Sequence, residues 1–289
     1  MIEFIASDMD GTLLIDHANL HKDNIEAIKH IQNLGVPFVI CTGRDLAQAR
    51  FCLEPADISC PLITLNGAET YDENGKLIET IGIEDDDARE LMNLAEDLGL
   101  YTEIMTSKGV FTLNLSRRVA QLVDMQRKLQ PDMAEKEIHE HIQHFTDTLL
   151  AKEIASYEEL YRDPHTIVLK LCIFSNDGQV AFEGLKKHAS KHLPNVVITS
   201  SFYNNIEVNH VNAQKGIALK KYANKFGYDL DKTMAIGDNG NDISMLSIVE
   251  YSYAMENAED YVKDVANYIT GKNSEGGVAQ AIYKHFPTK

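Results

Sequence analysis

Apolar and polar positions in the first part of the chain pair strand-length apolar runs with segments of helical period. Ile2–Ser7 is a short apolar run that stops at Asp8, Met9, Asp10, Gly11 and Thr12. Ile25, Ala27, Ile28, Ile31 and Leu34 then recur at helical spacing, with Gly35 placed to end that helix. Val36–Cys41 predicts a second buried strand, followed by Thr42, Gly43 and Arg44 and a helical segment to about Leu53. Pro61–Leu65 predicts a third strand, ending at Asn66 and Gly67. Such alternation predicts βαβ units and a parallel sheet. All three strands end in polar or glycine residues, and ligands of open α/β sheets bind at the carboxyl ends of strands.

The pattern then changes. Tyr71–Ile81 predicts a hairpin around Asp72, Glu73, Asn74 and Gly75, and Ala88, Leu91, Met92, Ala95 and Leu98 mark an amphipathic helix. Strands at Leu100–Met105, Thr166–Phe174 and Val196–Ser200 mix with helices at Arg118–Leu129 and Gln179–His192. Lys170 inside the apolar run Thr166–Phe174 predicts a sheet with one solvated face. From Lys215 the earlier alternation resumes, with strands at Met234–Gly237, Ser252–Met255 and Tyr268–Thr270. The expected fold class is therefore α/β: a Rossmann-like, doubly wound parallel-sheet core over 1–82 and 209–289, with an inserted α+β cap domain over 83–208.

A length of 289 residues, against roughly 100–150 for a typical domain, agrees with two domains. The formal charge of −17 argues against nucleic acid and membrane surfaces as partners, since both need clustered Lys and Arg. A small anionic substrate remains compatible where the site supplies local positive charge. The cysteines Cys41, Cys52, Cys60 and Cys172 have no CxxC spacing and sit mostly in apolar runs, which predicts buried thiols rather than disulfides or zinc. The start lacks a basic n-region, and no apolar run approaches the roughly 20 residues of a membrane span, so a cytoplasmic location is expected.

Four aspartates at two strand ends carry the candidate chemistry: Asp8 and Asp10 early, Asp238 and Asp242 late. Like charges about 4 Å apart repel by a few kcal/mol at an effective dielectric near 20, so a cluster of them calls for a counter-ion. All-oxygen ligands suit Mg²⁺. Taken singly, each aspartate also reads as a turn or helix cap.

Asp8-Met9-Asp10-Gly11-Thr12-Leu13 resembles the DxDGT(L/V) signature of haloacid dehalogenase-like (HAD) phosphatases. Thr42-Gly43-Arg44, Lys215-Gly216 and Gly237-Asp238-Asn239-Gly240-Asn241-Asp242 resemble that family's second, third and fourth motifs, in the family's order. The insert resembles the type IIB cap, and nearly the whole chain is similar to the Cof-type branch. The resemblance implies a Mg²⁺-dependent phosphatase acting on phosphomonoesters of small metabolites, either sugar phosphates or phosphorylated cofactor precursors such as riboflavin-pathway or nucleotide-like compounds. Asp8 would be the nucleophile, forming an aspartyl-phosphate, and Asp10 the general acid and base. Mg²⁺ would be held by the Asp8 carboxylate, the Asp10 main-chain carbonyl and Asp238, with Asp242 standing behind them. Phosphate would be bound by the Met9 backbone N–H, by the Thr42 hydroxyl together with Thr42 and Gly43 backbone N–H groups, by Lys215 and by Asn241. Arg44 reads either as a salt bridge at a helix N-terminus or as a substrate contact.

Many Cof-type proteins have Pro and Gly shortly before the third-motif lysine, where this chain has His210 and Asn212. Asn tolerates left-handed backbone, so Asn212 is expected to stand in for the glycine, and His210 reads as a surface-loop residue or a substrate contact. His139, His141 and His144 are spaced by two and three residues rather than the four of a helical metal pair, which favours a solvated helix face. The acidic run Glu84–Asp87 suits the first turn of a helix. Expected partners are a small phosphorylated metabolite and, at most, a second copy of the chain (monomer or homodimer). The competing readings are a phosphosugar mutase using the same intermediate, disfavoured because such enzymes usually carry a smaller helical cap, and a catalytically silent ligand-binding relative, disfavoured because Asp8 and Asp10 are both present.

Overall fold

The computed structural model describes residues 2–16, 18–129, 133–134, 136–138 and 151–288, and the histidine run at His139, His141 and His144 lies outside them. The chain divides into two compact units, one of Met1–Ile81 with Asn212–Lys289 and the other of Gly82–Val211.

The first unit is built on an eight-stranded sheet. Its order is Tyr268–Thr270, Tyr251–Met255, Thr233–Gly237, Phe4–Ser7, Phe38–Cys41, Leu62–Thr64, Glu69–Tyr71 and Leu77–Thr80. The first six are parallel, and the last two form the antiparallel hairpin read from the turn residues. Near-continuous apolar runs belong to strands covered on both faces. Ile5, Phe38, Ile40, Met234 and Ile236 face one core with the helices Lys22–Asn33 and Gly277–His285. Phe4, Ala6, Val39, Cys41 and Ala235 face the other, with Ala218 and Leu219 of helix Lys215–Phe226. Phe4–Ser7 pairs with a strand from each direction of the winding, Phe38–Cys41 on one side and Thr233–Gly237 on the other. That is the switch point at which a doubly wound sheet opens a crevice at its carboxyl edge.

The second unit is a six-stranded sheet in the order Val196–Thr199, Asn205–His210, Val168–Phe174, Tyr101–Thr106, Gly109–Thr112 and Lys152–Glu153. All pairs are antiparallel except the last, which is parallel. One face packs Ile104, Leu171, Ile173, Ile206 and Val208 against Ala88, Leu91 and Met92 of helix Asp85–Asp97 and Leu185 of helix Glu183–His192. The acidic run does occupy the first turn of that earlier helix.

Three expectations for this unit and its junction with the core need correcting. The face bearing Lys170 is not solvated. Lys170 is 1% exposed and lies 2.8 Å from Glu207, which is itself buried and accepts the Ser201 hydroxyl. Beside them Glu103 accepts from Tyr101 and pairs with Arg118 at 3.3 Å, while the Arg118 guanidinium lies 3.8 Å from the Phe174 ring centroid. Pairing with Glu103 and Glu207 explains why Arg118 and Lys170 tolerate burial. Second, Asn205–His210 is a strand between Val196–Thr199 and Val168–Phe174, not a loop, and His210 lies half-buried 3.5 Å from Glu84. Its polar alternation, Asn205, Glu207 and Asn209, hid it from a search for apolar runs. Third, the non-glycine residues at positive φ are Asp57, Leu65 and Asn66 among the described residues, so Asn212 does not replace a left-handed glycine. No helix among the described residues is long and apolar enough to cross a membrane.

Candidate active site

Loops at the carboxyl ends of the central strands bring the motif residues together. The Asp8 N–H extends the sheet by donating to the Ile236 carbonyl at 2.9 Å, and the residue is 4% exposed. The chain then turns through Met9–Leu13, closed by the Leu14 N–H donating to the Met9 carbonyl at 2.8 Å. Gly11 is required twice over. Its φ of 74° suits glycine, and a Cβ there would lie 2.3 Å from Asp238 Oδ2. The Thr12 hydroxyl donates to Asp238 Oδ1 at 2.7 Å, tying the first loop to the loop after Thr233–Gly237.

In that later loop Asp242 Oδ2 accepts the N–H groups of Asp238 (2.9 Å) and Asn239 (3.0 Å). Asp242 is thus a cap as well as a member of the cluster. A Cβ on Gly237 would lie 2.6 Å from Asp242 Cβ, so the loop needs glycine there to close on itself. Lys215, fully buried at the start of its helix, donates to Asp8 Oδ1 and Asp242 Oδ1, each at 2.6 Å. Gly216 lets this helix approach the segment Ile243–Leu246: its N–H donates to Ser244 Oγ at 3.0 Å, and a Cβ would lie 1.9 Å from the Ser244 carbonyl oxygen.

Asp8, Asp238 and Asp242 each present a carboxylate oxygen, and the three lie within 4.8 Å of one another. Burial, the neighbouring Asp242 charge and, to a smaller extent, Asp238 and Asp10 hold the Asp8 carboxyl well above the usual carboxylate range, against the opposing pull of Lys215. Burial and Asp242 push Asp238 up to about 7, opposed by the Thr12 hydrogen bond and Lys215. Lys215 is held above the ordinary lysine value because its two carboxylate partners outweigh its burial. One ammonium among three carboxylates leaves negative charge uncompensated, and the oxygen-only donor set suits a hard divalent cation. The residues present fit such an ion.

The Asp10 side chain lies outside this triad. Arg44 Nε donates to its Oδ2 at 2.7 Å and Arg44 Nη2 to its Oδ1 at 2.5 Å. Arg44 therefore pairs with Asp10 rather than with an acid at a helix start; Asp45, which does cap the helix Leu46–Leu53, accepts the Gln48 N–H. Thr42 is buried, and its backbone N–H donates to the Ile63 carbonyl at 2.8 Å. That N–H is committed to the sheet and is not the free phosphate donor expected from the sequence. The Thr42 hydroxyl accepts the Arg44 N–H at 3.1 Å and keeps its own proton to donate. Met9 is buried within the first turn, and Gly43 follows Thr42 in the second loop.

Asn66 was not singled out from the sequence, although an Asn-Gly step at a strand end was its signal. Its N–H donates to the Thr42 carbonyl at 2.9 Å, its φ is 62°, and its Oδ1 accepts from Asn241 Nδ2 at 3.2 Å. Leu65, Asn66 and Gly67 stand consecutively at positive φ, a concentration of backbone strain of the kind that collects at functional sites. Asn241 Oδ1 is buried without a hydrogen-bond partner among the described residues.

Known proteins resemble this chain over nearly its whole length. A family model described as haloacid dehalogenase-like hydrolase matches residues 5–282. A 5-amino-6-(5-phospho-D-ribitylamino)uracil phosphatase of Bacillus subtilis is 32% identical over 97% of this chain and 94% of its own length. A pyridoxal phosphate phosphatase of Escherichia coli is 26% identical over 97% of each chain. The solved structure of a haloacid dehalogenase-like hydrolase from B. subtilis superposes with a TM-score of 0.86 at 28% identity, covering 98% of this chain and 99% of that one. The chain belongs to the haloacid dehalogenase-like hydrolases, in their Cof-type branch, and is a phosphoric monoester hydrolase.

Proposed function

We propose that the enzyme hydrolyses phosphomonoesters of small phosphorylated metabolites through a phosphoryl group carried transiently on Asp8, with Mg²⁺ as cofactor. The observation that carries this reading is the buried Lys215 ammonium, 2.6 Å from both Asp8 and Asp242, beside the Asp238 carboxylate. A carboxylate oxygen of Asp8 attacks phosphorus while the bond from phosphorus to the leaving oxygen breaks, and Asp10 gives that oxygen its proton. Water then attacks the phosphorus, Asp10 takes its proton, and the bond to Asp8 breaks to release inorganic phosphate. Lys215 orients the attacking carboxylate and offsets charge on the phosphoryl oxygens, where the Thr42 hydroxyl, the N–H groups of Met9 and Gly43 and the Asn241 amide donate. Mg²⁺, held by the carboxylates of Asp8 and Asp238 and the main-chain carbonyl of Asp10, would supply further neutralisation of the transferring group, with Asp242 fixing Lys215 and the later loop behind it.

Substrate choice is assigned to the inserted domain over 83–208. The substrates named for the relatives, a phosphorylated ribitylaminouracil and pyridoxal phosphate, define the first compounds to assay, together with sugar phosphates. Purified protein should release inorganic phosphate from p-nitrophenyl phosphate in Mg²⁺, lose this on chelation and regain it on adding the metal back. Asp8→Asn keeps the side-chain shape but not the nucleophile, and should lose turnover with an unchanged circular dichroism spectrum. Substantial residual turnover in that variant refutes the assignment of Asp8. Isomerised sugar phosphate without free phosphate would indicate the mutase instead.

A further inference from the structure

Arg44 has no role in the reaction as stated above, yet it is the residue bonded to the acid–base carboxylate. We propose that Arg44 is a positioning residue for the acid–base step, holding the Asp10 carboxylate where it meets the leaving oxygen and, later, the attacking water. The inference rests on the reading of Asp10 as general acid and base.

Asp10 needs such a partner. Its side chain is 45% exposed, against 6% for that of Asp8, and it follows Met9 in a turn whose next residue is a left-handed glycine. An exposed aspartate with two free torsions samples several rotamers, whereas proton transfer requires its oxygen within about 3 Å of the reacting oxygen. A guanidinium fork that engages both carboxylate oxygens removes that freedom more completely than a single point charge would. The two bonds, at 2.7 and 2.5 Å, have this geometry.

Arg44 is itself held at several points, so it can serve as a fixed post. Its backbone N–H donates to the Thr42 hydroxyl at 3.1 Å, and its carbonyl accepts the Leu65 N–H at 2.9 Å. Its Nη1 lies 3.2 Å from Cys52 Sγ, a buried thiol on the helix Leu46–Leu53, and the Arg44 side chain is 17% exposed. The post thus spans the second-motif loop, the strained segment Leu65–Gly67 and the following helix. The fork also suits both halves of the reaction. As a carboxylate Asp10 accepts at both oxygens. As a carboxylic acid it keeps one strong acceptor for a single prong and turns its O–H toward the leaving oxygen. Arg44 acts as a pivot in this scheme and touches no reacting atom.

A contact to phosphate would predict different kinetics from a contact through Asp10, because leaving groups differ in their need for a proton. Dinitrophenolate departs unassisted, whereas a sugar alkoxide must be protonated. In single turnovers with enzyme in excess and Mg²⁺ present, Arg44→Met should release dinitrophenolate from dinitrophenyl phosphate at a rate within about threefold of the parent enzyme. On a sugar phosphate the same variant should lose ~10²-fold in single-turnover rate, the scale of general-acid catalysis. Asp10→Asn should show the same split, and the double variant should lose no more on the sugar phosphate than the worse single one. Arg44→Lys, which keeps the charge but not the fork, should fall between parent and Arg44→Met, and gives the same comparison if Arg44→Met folds poorly. Equal losses on both substrates, or a rise in KM with kcat unchanged, would overturn the proposal and make Arg44 a phosphate or substrate contact. Unchanged rates on both would also overturn it, leaving the ion pair a purely structural one. If Asp8→Asn retains turnover, the underlying reaction scheme fails, and that outcome is separate from either of these.

Discussion

Replacing Lys215 by Met removes one positive charge from the centre of the site while nearly keeping side-chain volume. At 2.6 Å from each of two carboxylates, and an effective dielectric near 20, each attraction is about 6 kcal/mol before the opposing desolvation of all three groups. Breaking a buried ion pair by deleting one partner costs about 3–5 kcal/mol, and that is the expected loss of stability at pH 7.5 without metal. The pH dependence identifies the cause. Asp8 and Asp238 already have raised carboxyl pKa values in the folded protein, and Lys215 is the group that lowers both. A carboxyl whose folded pKa is raised contributes stability below its unfolded pKa near 4 and loses it as pH rises through the folded value. Without Lys215 those folded values rise further, so the stability gap between parent and variant should widen from pH 5.5 to pH 7.5. Urea denaturation followed by circular dichroism in chelator, at both pH values, measures the gap. Mg²⁺ should narrow it at pH 7.5 by restoring positive charge. A gap of the same size at both pH values would refute the electrostatic account, as would no gap at pH 7.5, and the lysine would then act through packing alone. Turnover of p-nitrophenyl phosphate by the variant should fall by ~10²–10³-fold, the loss typical of removing one group that stabilises transition-state charge.

Two further predictions follow from the same geometry. Gly11→Ala puts a methyl group 2.3 Å from Asp238 Oδ2 on a backbone at φ 74°, so it should displace Asp238 and lower Mg²⁺ affinity by at least tenfold in a calorimetric titration; unchanged affinity would show that the turn can yield elsewhere. Mg²⁺ binding requires ionised carboxylates, and in the metal-free protein burial and neighbouring acids raise the pKa of both Asp8 and Asp238, the latter to about 7, so affinity measured by calorimetry should weaken steadily as pH falls from 7.5 to 5.5, whereas an affinity independent of pH over that range would contradict the cluster as the metal site.

Most of the core fold was legible in the chain because its strands are covered on both faces and therefore appear as apolar runs, Phe38–Cys41 and Thr233–Gly237 among them. The motif residues were legible because their types and order carry chemistry in themselves. The inserted unit was harder to read. Its strand Asn205–His210 alternates polar with apolar residues, and Lys170 within an apolar run pointed outward to solvent when it is in fact buried against Glu207. Periodicity tells which residues share a face of a strand; it cannot tell whether that face meets water or another charged side chain.

The chain alone determined the residue types at the strand ends and an acidic cluster that demands a counter-ion. Only the tertiary structure decided how the acids divide: Asp8, Asp238 and Asp242 converge, with Lys215 bonded to Asp8 and Asp242, while Asp10 turns to Arg44. The same is true of the Thr42 N–H, which the parallel pairing with Leu62–Thr64 consumes, and of Asn66, whose importance comes from contacts with Thr42 and Asn241. The physical reason is common to all three. Hydrogen bonds and ion pairs act over about 3 Å, and their partners here lie as many as 207 positions apart along the chain, so spacing in sequence carries no record of which group reaches which.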